Sequence, residues 1–269
     1  MRVPIDDPQD PRIAAYREIR ERDLVGRDGQ FIAEGEVVLK VLLAGRRHEA
    51  LSLLIAEKRV VALTPLLDQV PAAVPIYIAG QAVLDRIAGF HLHRGILALG
   101  RRAALPPAAE LLGRLAPRAL VVVLLGIANH DNIGGIFRNA AAFGADAVLL
   151  DPGCCDPLYR KAIRVSVGTS LIVPYTRLAP PDNVLDLLAR FGFDTIALSP
   201  DGATPLAGLA RPARAALLLG AEGPGLPAEV LSRARTVRIP MAAGVDSLNV
   251  ATTSGIVLHH LVTTSPLLE

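Results

Sequence analysis

The chain has 269 residues, of which 51% are hydrophobic and 20% are charged. This length allows one large domain or two ordinary ones with a sizeable core, and the apolar content excludes a disordered polyampholyte. With 28 Lys plus Arg against 26 Asp plus Glu, the net charge of +2 also excludes a strongly basic, histone-like binder.

The first 102 residues alternate short strands and helices. Asp10 and Pro11 provide the cap and the first turn of a predicted helix that runs to Leu24. Further along, extended segments are predicted at residues 31–33, 51–56, 76–78 and 96–99, and helices at residues 36–43 and 81–88. This alternation favours an α/β fold.

A proline-rich stretch, residues 103–118, follows this region. Pro106, Pro107 and Pro117 bracket one short helix-capable piece, which is typical of a linker. We therefore expect an N-terminal domain at residues 1–102, a linker at residues 103–118 and a C-terminal domain at residues 119–269.

The C-terminal region has the clearest pattern. Residues 120–127, LVVVLLGI, form a continuous apolar run, as in a strand that is covered on both faces. Further strands are predicted at residues 147–150, 171–173, 195–198, 215–219 and 237–239. Helices are predicted at residues 134–143, 157–164, 183–191, 228–233 and 250–262. The prediction is a mostly parallel sheet wrapped by helices.

Three of the predicted strands are followed by polar or glycine-rich segments, and open parallel sheets bind ligands at such strand ends. The first segment contains Asn132, Gly134 and Arg138, and it matches neither GxGxxG nor GxxxxGK[ST]. The second, residues 219–227, has three glycines in six residues, so a ligand can approach its main chain closely. Glu222 is the only acidic side chain of this loop.

The third segment, residues 239–251, leads into the last predicted helix. Ser247 is the predicted cap of that helix, with Asn249 in its first turn.

Two other positions are weaker candidates for a catalytic role. His130 could act as a base but lacks an orienting carboxylate pattern, and Ser254 lies inside a predicted helix rather than in a GxSxG elbow.

Cysteine and histidine patterns predict neither a disulfide nor a metal site. The two cysteines, Cys154 and Cys155, are adjacent, which suits neither a disulfide nor a two-ligand site and favours a reducing cytosol. The histidine pairs lack metal-ligand spacing, so we predict no metal. These pairs are His91 with His93 and His259 with His260.

Membrane insertion is also not expected. The longest uncharged stretch, residues 247–268, carries too many polar side chains to span a bilayer. The charged start, MRVPIDDPQD, lacks the apolar core of a secretory signal. We expect a cytoplasmic protein.

In their order and spacing, the three segments resemble the motifs of the SpoU/TrmH family of S-adenosylmethionine-dependent RNA ribose 2′-O-methyltransferases, within the SPOUT superfamily. The likeness spans residues 119–262. Its motifs are Asn132-x-Gly134-x3-Arg138, Gly220-x-Glu222-Gly223-x-Gly225-Leu226 and Ile239-Pro240-Met241…Ser247-Leu248-Asn249-Val250. Between them, Lys161-x2-Arg164-x-Ser166-x-Gly168 is similar to the intervening segment of the family.

The N-terminal region carries a looser likeness. Residues 31–35, FIAEG, and 93–96, HRGI, resemble the small ribosomal-protein-like RNA-binding domain that is attached to many family members. Its arginines are candidates for phosphate contacts, with a solvated basic surface as the open alternative. These arginines are Arg46, Arg47, Arg94, Arg101 and Arg102.

The resemblance implies a C-terminal trefoil knot, S-adenosylmethionine as cofactor, RNA as substrate and a homodimer that forms through the C-terminal domain. It assigns catalysis to Arg138, Asn132, Glu222, Ser247 and Asn249. It assigns cofactor binding to Leu219, Gly220, Glu222, Gly223, Ile239, Ser247 and Leu248. The family arginine is proposed as a base, but arginine is normally protonated, so we expect Arg138 to grip a phosphate and orient the hydroxyl.

Two positions depart from the family pattern. Ala221 stands where most relatives have asparagine, and Asn129-His130 replaces a usual Asp-Pro. The favoured function is 2′-O-methylation of structured RNA, with rRNA ahead of tRNA because the extra N-terminal domain is more typical of rRNA enzymes. One alternative is a non-catalytic RNA-binding or ribosome-assembly protein. Another, a Rossmann-type NAD enzyme with Asp151 as its ribose ligand, lacks the glycine fingerprint.

Overall fold

The computed structural model describes residues 1–17, 24–88, 92, 94–179 and 183–264. The chain divides into two compact units. The first is formed by Met1–Ala104 and Asp156–Ile172, and the second by Leu105–Cys155 and Val173–Glu269.

The first unit is built on a mixed sheet in the order β1-β4-β3-β5-β2. β5 runs antiparallel to both of its neighbours, whereas the other pairs are parallel. The strands are β1 (Arg2–Ile5), β2 (Gln30–Glu34), β3 (Glu49–Ala56), β4 (Ile76–Ala79) and β5 (Ile96–Arg101). The helices are α1 (Glu36–Ala44), α2 (Val60–Leu67) and α3 (Gln81–Ala88).

The second unit is built on a parallel sheet in the order β10-β12-β9-β11-β6-β7-β8. Its strands are β6 (Ala119–Leu125), β7 (Ala147–Leu150), β8 (Tyr175–Arg177), β9 (Asp194–Leu198), β10 (Thr204–Pro205), β11 (Arg214–Gly220) and β12 (Arg235–Arg238). The helices of this unit are α4 (Ala108–Gly113), α5 (His130–Ala142), α7 (Val184–Arg190), α8 (Ala228–Arg233) and α9 (Val250–Thr263). Helix α6 (Arg160–Val165) lies between α5 and α7 in the sequence but belongs to the first unit.

The α/β class and the parallel sheet of the second unit are confirmed. β6 lies inside this sheet between β11 and β7, and its residues 119–124 are fully buried, as its unbroken apolar run predicts. The two units differ from the predicted domains in two places. First, the second unit begins at Leu105, within the predicted linker, because α4 contributes Leu112 to the core of that unit. Second, Asp156–Ile172 belongs to the first unit, where α6 packs on β2.

The predicted helix over residues 10–24 is wrong in type. Asp10 does cap the start, since its side chain accepts a hydrogen bond from Arg12 N. However, Pro11–Tyr16 is a 3-10 helix, and it ends at Arg17, whose backbone is extended. Leu24–Asp28 is a short π-helical turn. Residues 18–23 of the prediction lie outside the described residues, as do His91 and His93.

Two elements of the second half also differ from prediction. Helix α5 begins at His130 rather than at residue 134, because Asn129 caps it by accepting from Asp131 N. The strand predicted at residues 171–173 is wrong. After α6, Val167 (φ 55°) and Gly168 (φ 85°) reverse the chain into a 3-10 turn over Thr169–Leu171, so the strand starts later, at β8.

Within the described residues, no helix is both long enough and apolar enough to cross a membrane.

Candidate active site

A cavity of about 450 Å³ lies at the carboxyl edge of the second sheet. Its walls come from the segments that follow β9, β11 and β12, together with the start of α9. These three strands are neighbours in the sheet, so the segments that follow them leave from one edge. All seven residues predicted to bind a cofactor line this cavity: Leu219, Gly220, Glu222, Gly223, Ile239, Ser247 and Leu248.

The glycine loop after β11 folds back onto its own start. Gly225 N donates to Ala221 O at 3.0 Å. Gly223 (φ 86°) and Gly225 (φ 70°) adopt the left-handed conformation that favours glycine. A Cβ on Gly220 would lie only 2.3 Å from the backbone carbon of Gly225, so the turn requires glycine there as well. The loop therefore presents main chain, rather than side chains, to part of the cavity.

The register of the sheet brings the first two motifs together. β6 and β11 are paired along their full length, with Leu125 opposite Gly220. The loops that follow these strands therefore start side by side. Asn132, in the first turn of α5, reaches across this edge, and its Nδ2 donates to Glu222 Oε1 at 2.6 Å.

The third motif joins the same network. Asn249 Nδ2 donates to Asn132 Oδ1 at 2.8 Å and approaches Glu222 Oε1 at 3.4 Å. Asn132 is buried, with 4% exposure, whereas Glu222 and Asn249 are exposed. Three predicted catalytic residues from three distant segments are thus hydrogen-bonded into one cluster, which we call the Asn–Glu–Asn network.

The amide orientations in this network follow from one anchor. Asn249 Oδ1 accepts from Ala251 N at 3.0 Å and from Thr252 N at 3.1 Å, as the N-cap of α9. Its Nδ2 must therefore face Asn132 Oδ1, and this contact in turn aims Asn132 Nδ2 at the carboxylate, which accepts when ionised. Each amide has a single orientation that satisfies all partners.

Ser247 does not have the predicted capping role. The cap of α9 is Asn249, whose side chain reaches two backbone N–H groups, whereas Ser247 Oγ donates to Asp246 Oδ1 at 3.2 Å and stays exposed. The reason is register, since α9 begins at Val250 and the residue directly before it is Asn249. Ser247 instead lines the cavity.

Arg138 lies on α5, six residues after Asn132, and its side chain is exposed. It is not among the residues that line the cavity. Within the part of the chain that the structure describes, its guanidinium makes no hydrogen bond or ion pair. Its five N–H donors are therefore available to an external anion.

The buried thiol near this edge is engaged by the main chain on both sides. Cys154 accepts from Ile127 N and donates to Leu124 O, both at 3.3 Å. Burial raises the pKa of this thiol to about 12, and the neighbouring Asp151 acts in the same direction. In the described ranges, no group of three or more His, Cys, Asp or Glu side chains could hold a metal ion.

Two features of the site bear on the departures from the family pattern. Ala221 lines the cavity and faces Gly126, where an added Cβ would lie 3.3 Å from the Ala221 methyl group. His130 is the first residue of α5 and is half-buried. Neither position interrupts the Asn–Glu–Asn network.

Part of the cavity wall was not identified from the sequence. Leu198 ends β9, Ser199 and Pro200 follow it, and all three line the cavity because β9 lies between β11 and β12. The turn signal Ser-Pro-Asp-Gly after a predicted strand could have indicated this loop. Strand order, which places it beside the other two, is not readable from the sequence.

The sequence is similar to those of known tRNA/rRNA methyltransferases. The profile of the SpoU rRNA Methylase family matches residues 119–259. A protein of Mycobacterium bovis, named an uncharacterized tRNA/rRNA methyltransferase, is 42% identical over 263 residues, which cover 94% of this chain and 89% of that protein. A Synechocystis protein of the same description is 30% identical, with 95% and 92% covered.

Solved structures share the fold. A crystal structure of an RNA 2′-O ribose methyltransferase superposes with a TM-score of 0.79 at 26% identity, covering 97% of this chain and 99% of that one. The AdoMet-bound rRNA methyltransferase from Sinorhizobium meliloti superposes with a TM-score of 0.80 at 22% identity, covering 96% and 97%. With its profile match over more than half of its length and its close relatives, this chain belongs to the SpoU rRNA Methylase family.

Proposed function

We propose that the protein transfers a methyl group from S-adenosylmethionine to a ribose 2′-hydroxyl of structured RNA. The observation that carries this proposal is the placement of the Asn–Glu–Asn network at a cavity with a main-chain wall. Glu222 and Asn249 belong to both. Family membership supports RNA methylation, and the 26%-identical relative is a 2′-O ribose methyltransferase.

The cavity has the chemistry that S-adenosylmethionine requires. Its volume lies within the usual range of roughly 300–1,000 Å³ for small-molecule sites. Leu219, Leu226, Ile239 and Leu248 offer apolar surface for an adenine ring, and the glycine loop offers backbone donors and acceptors without a Cβ in the way. When bound, this cofactor supplies an electrophilic methyl group on a sulfonium.

The remaining chemistry is assigned to side chains of this chain. Glu222, held by two amide groups, orients the ribose at the cavity mouth, with Ser247 in support. Arg138 binds the phosphate next to the target ribose and so aligns the hydroxyl. Because arginine stays protonated over the working pH range, Arg138 positions the ribose and neutralises charge, and the hydroxyl proton lost on methyl transfer passes to solvent.

We further propose that the segments after β11 and β12 form a trefoil knot, an exception to the general absence of threaded chains. A homodimer through the second unit is proposed on exposed apolar side chains of that unit: Val245 is 50% exposed, Leu248 41% and Ile256 39%. Sedimentation of the intact protein tests the dimer. A monomer at all micromolar concentrations contradicts it.

The first unit is proposed to bind the RNA, with rRNA favoured over tRNA. Arg46 and Arg94 are exposed and suit phosphate contacts. Two other candidate arginines are engaged within the unit: Arg101 pairs with Glu49 at 3.0 Å, and Arg102, 19% exposed, pairs with the buried Asp156. Arg102 is therefore less available to phosphate than the exposed Arg46 and Arg94.

The test is to incubate the protein with labelled S-adenosylmethionine and RNA from cells that lack the gene. We expect label in RNA and, after mapping, a discrete 2′-O-methylated nucleotide. RNA binding without any label favours a non-catalytic RNA-binding or ribosome-assembly protein instead.

A further inference from the structure

Helices α5 and α9 contact each other through small residues. A Cβ on Gly135 would lie 2.7 Å from Ala251 Cβ, so α5 approaches α9 as closely as glycine allows. Ala251, Ser254 and Gly255 are spaced i, i+3 and i+4, and they therefore share one face of α9. This close approach lets a short polar side chain of one helix reach the backbone of the other.

Asn139 is the side chain that spans this contact. Its Nδ2 donates to Ala251 O at 2.7 Å and to Ser254 Oγ at 2.9 Å. Ser254 is fully buried, and its Oγ donates in turn to Ala251 O at 2.7 Å. Gly255 leaves room for the amide, since a Cβ there would lie 3.1 Å from Asn139 Nδ2.

The two helices are therefore joined by hydrogen bonds at two levels. Asn132 bonds to Asn249, and Asn139 bonds to Ala251 and Ser254. The two asparagines are seven residues apart on α5, which is about 10 Å along the helix axis. Two attachment points at this separation fix both the translation and the rotation of α5 relative to α9.

The position of Arg138 depends on where α5 lies. Arg138 stands one residue before Asn139, and within the described residues its side chain makes no hydrogen bond or ion pair. Its location relative to the cavity is consequently set by the backbone of α5. Small displacements of a positioning group cost on the order of a hundredfold in rate per ångström.

We propose that Asn139, acting with Ser254, is a positioning residue for Arg138 in the methyl transfer reaction. This inference rests on the proposed function. Asn139 is not among the residues that line the cavity. It holds α5 against α9 so that the Arg138 guanidinium and the Asn–Glu–Asn network can contact the same nucleotide.

The experiment compares Asn139→Leu, which keeps the branching and the number of heavy atoms of the side chain but removes the donor, with the wild-type protein. We expect kcat to fall about tenfold or more, with the Kd for S-adenosylmethionine changed less than about twofold. The matched control is His260→Ala. It removes another contact from α9 to a backbone carbonyl, His260 Nε2 to Leu209 O at 2.8 Å, on a segment other than α5, and should leave kcat unchanged.

A double-mutant cycle separates positioning from general stability. In an Arg138→Lys background, which retains charge but loses the guanidinium fork, Asn139→Leu should cause little further loss of kcat, because both changes disturb the same interaction. If Asn139→Leu does not fold, Ser254→Ala carries the test, since it removes one of the two acceptors.

The results that overturn the inference are specific. Wild-type kcat in Asn139→Leu, or in Ser254→Ala where that variant carries the test, overturns it. A loss that adds fully to that of Arg138→Lys, or a parallel loss of cofactor affinity, also does so. A wild-type protein without methyl transfer removes the proposed function and this inference together, whereas an active wild type with an equally active Asn139→Leu removes the inference alone.

Discussion

Asn132 Oδ1 accepts a hydrogen bond from Asn249 Nδ2 at 2.8 Å, although 117 residues separate the two in the sequence. The same Asn249 side chain caps α9, and the same Asn132 side chain donates to Glu222. The Asn249 side chain thus caps a helix through its oxygen and holds Asn132 through its nitrogen, and substitutions can separate these two contacts.

Asn249→Asp should keep the cap, because a carboxylate oxygen also accepts from the first backbone N–H groups of a helix, but it removes the donor to Asn132. Asn249→Ala removes both. We expect both variants to lose methyl transfer by at least about tenfold, and Asn249→Ala to lose in addition about 1 kcal/mol of unfolding free energy relative to Asn249→Asp. Urea unfolding and initial rates measure the two effects. An active Asn249→Asp contradicts the role of the amide donor.

Arg138→Ala should abolish methyl transfer while leaving the Kd for S-adenosylmethionine nearly unchanged, because Arg138 lies outside the cavity wall. Calorimetry and turnover assays measure the two quantities. The matched control is Arg190→Ala on α7, another exposed arginine of the second unit, which should keep wild-type turnover. Normal turnover in Arg138→Ala removes this residue from the mechanism.

Gly220→Ala should disrupt the glycine loop, because the new Cβ would overlap the backbone of Gly225. We expect a loss of about 1–3 kcal/mol in unfolding free energy, as for other overpacked sites, and a weaker Kd for S-adenosylmethionine. Gly208→Ala, where an added Cβ meets no atom within 4 Å, is the control and should bind as the wild type does. Equal affinity in the two variants argues against a main-chain wall at the cofactor site.

His48 gives the first unit a predictable pH dependence. Burial lowers the pKa of His48 to about 4, and the charges of Arg47 and Arg102 act in the same direction. Between this value and the ordinary pKa of 6.5, the unfolded chain binds a proton that the folded chain does not. The free energy of unfolding should therefore fall as the pH drops through that window.

His48→Asn tests this origin. The asparagine oxygen can replace Nδ1 as the acceptor for Ala103 N, a contact of 3.2 Å, but it does not titrate. We expect a flatter curve of unfolding free energy against pH between pH 6.5 and 4 for this variant. Identical slopes for wild type and variant contradict the assignment.

The sequence predicted those strands and helices whose formation depends on the residues of the segment itself. The apolar runs of β6 and β11 have no alternative to burial in a parallel sheet, and the helix of residues 228–233 begins directly after Pro227, as a proline at a helix start suggests. Helix α2 was not predicted, because Pro65 lies inside it, where proline is normally unfavourable.

The packing of α5 on α9 and the hydrogen bonds between distant segments depend on tertiary contacts, which the sequence did not predict. The predicted helix of residues 134–143 already includes Gly134 and Gly135, but only the packing of the chain shows that Gly135 permits the close approach of Ala251. The motif residues were identifiable, but the capping role of Asn249 and the bridge from Asn139 to α9 depend on distances between segments more than 100 residues apart. Sequence spacing does not encode such distances.

The most direct test of the central claim is the chemical position of the transferred methyl group. RNA methylated with labelled S-adenosylmethionine is digested to nucleosides, and the labelled product is identified by mass spectrometry and by resistance of the neighbouring phosphodiester to alkali. We predict label in a 2′-O-methylribose and an alkali-resistant bond at that nucleotide. Label on a base, with every phosphodiester still cleaved by alkali, would contradict ribose methylation by this site.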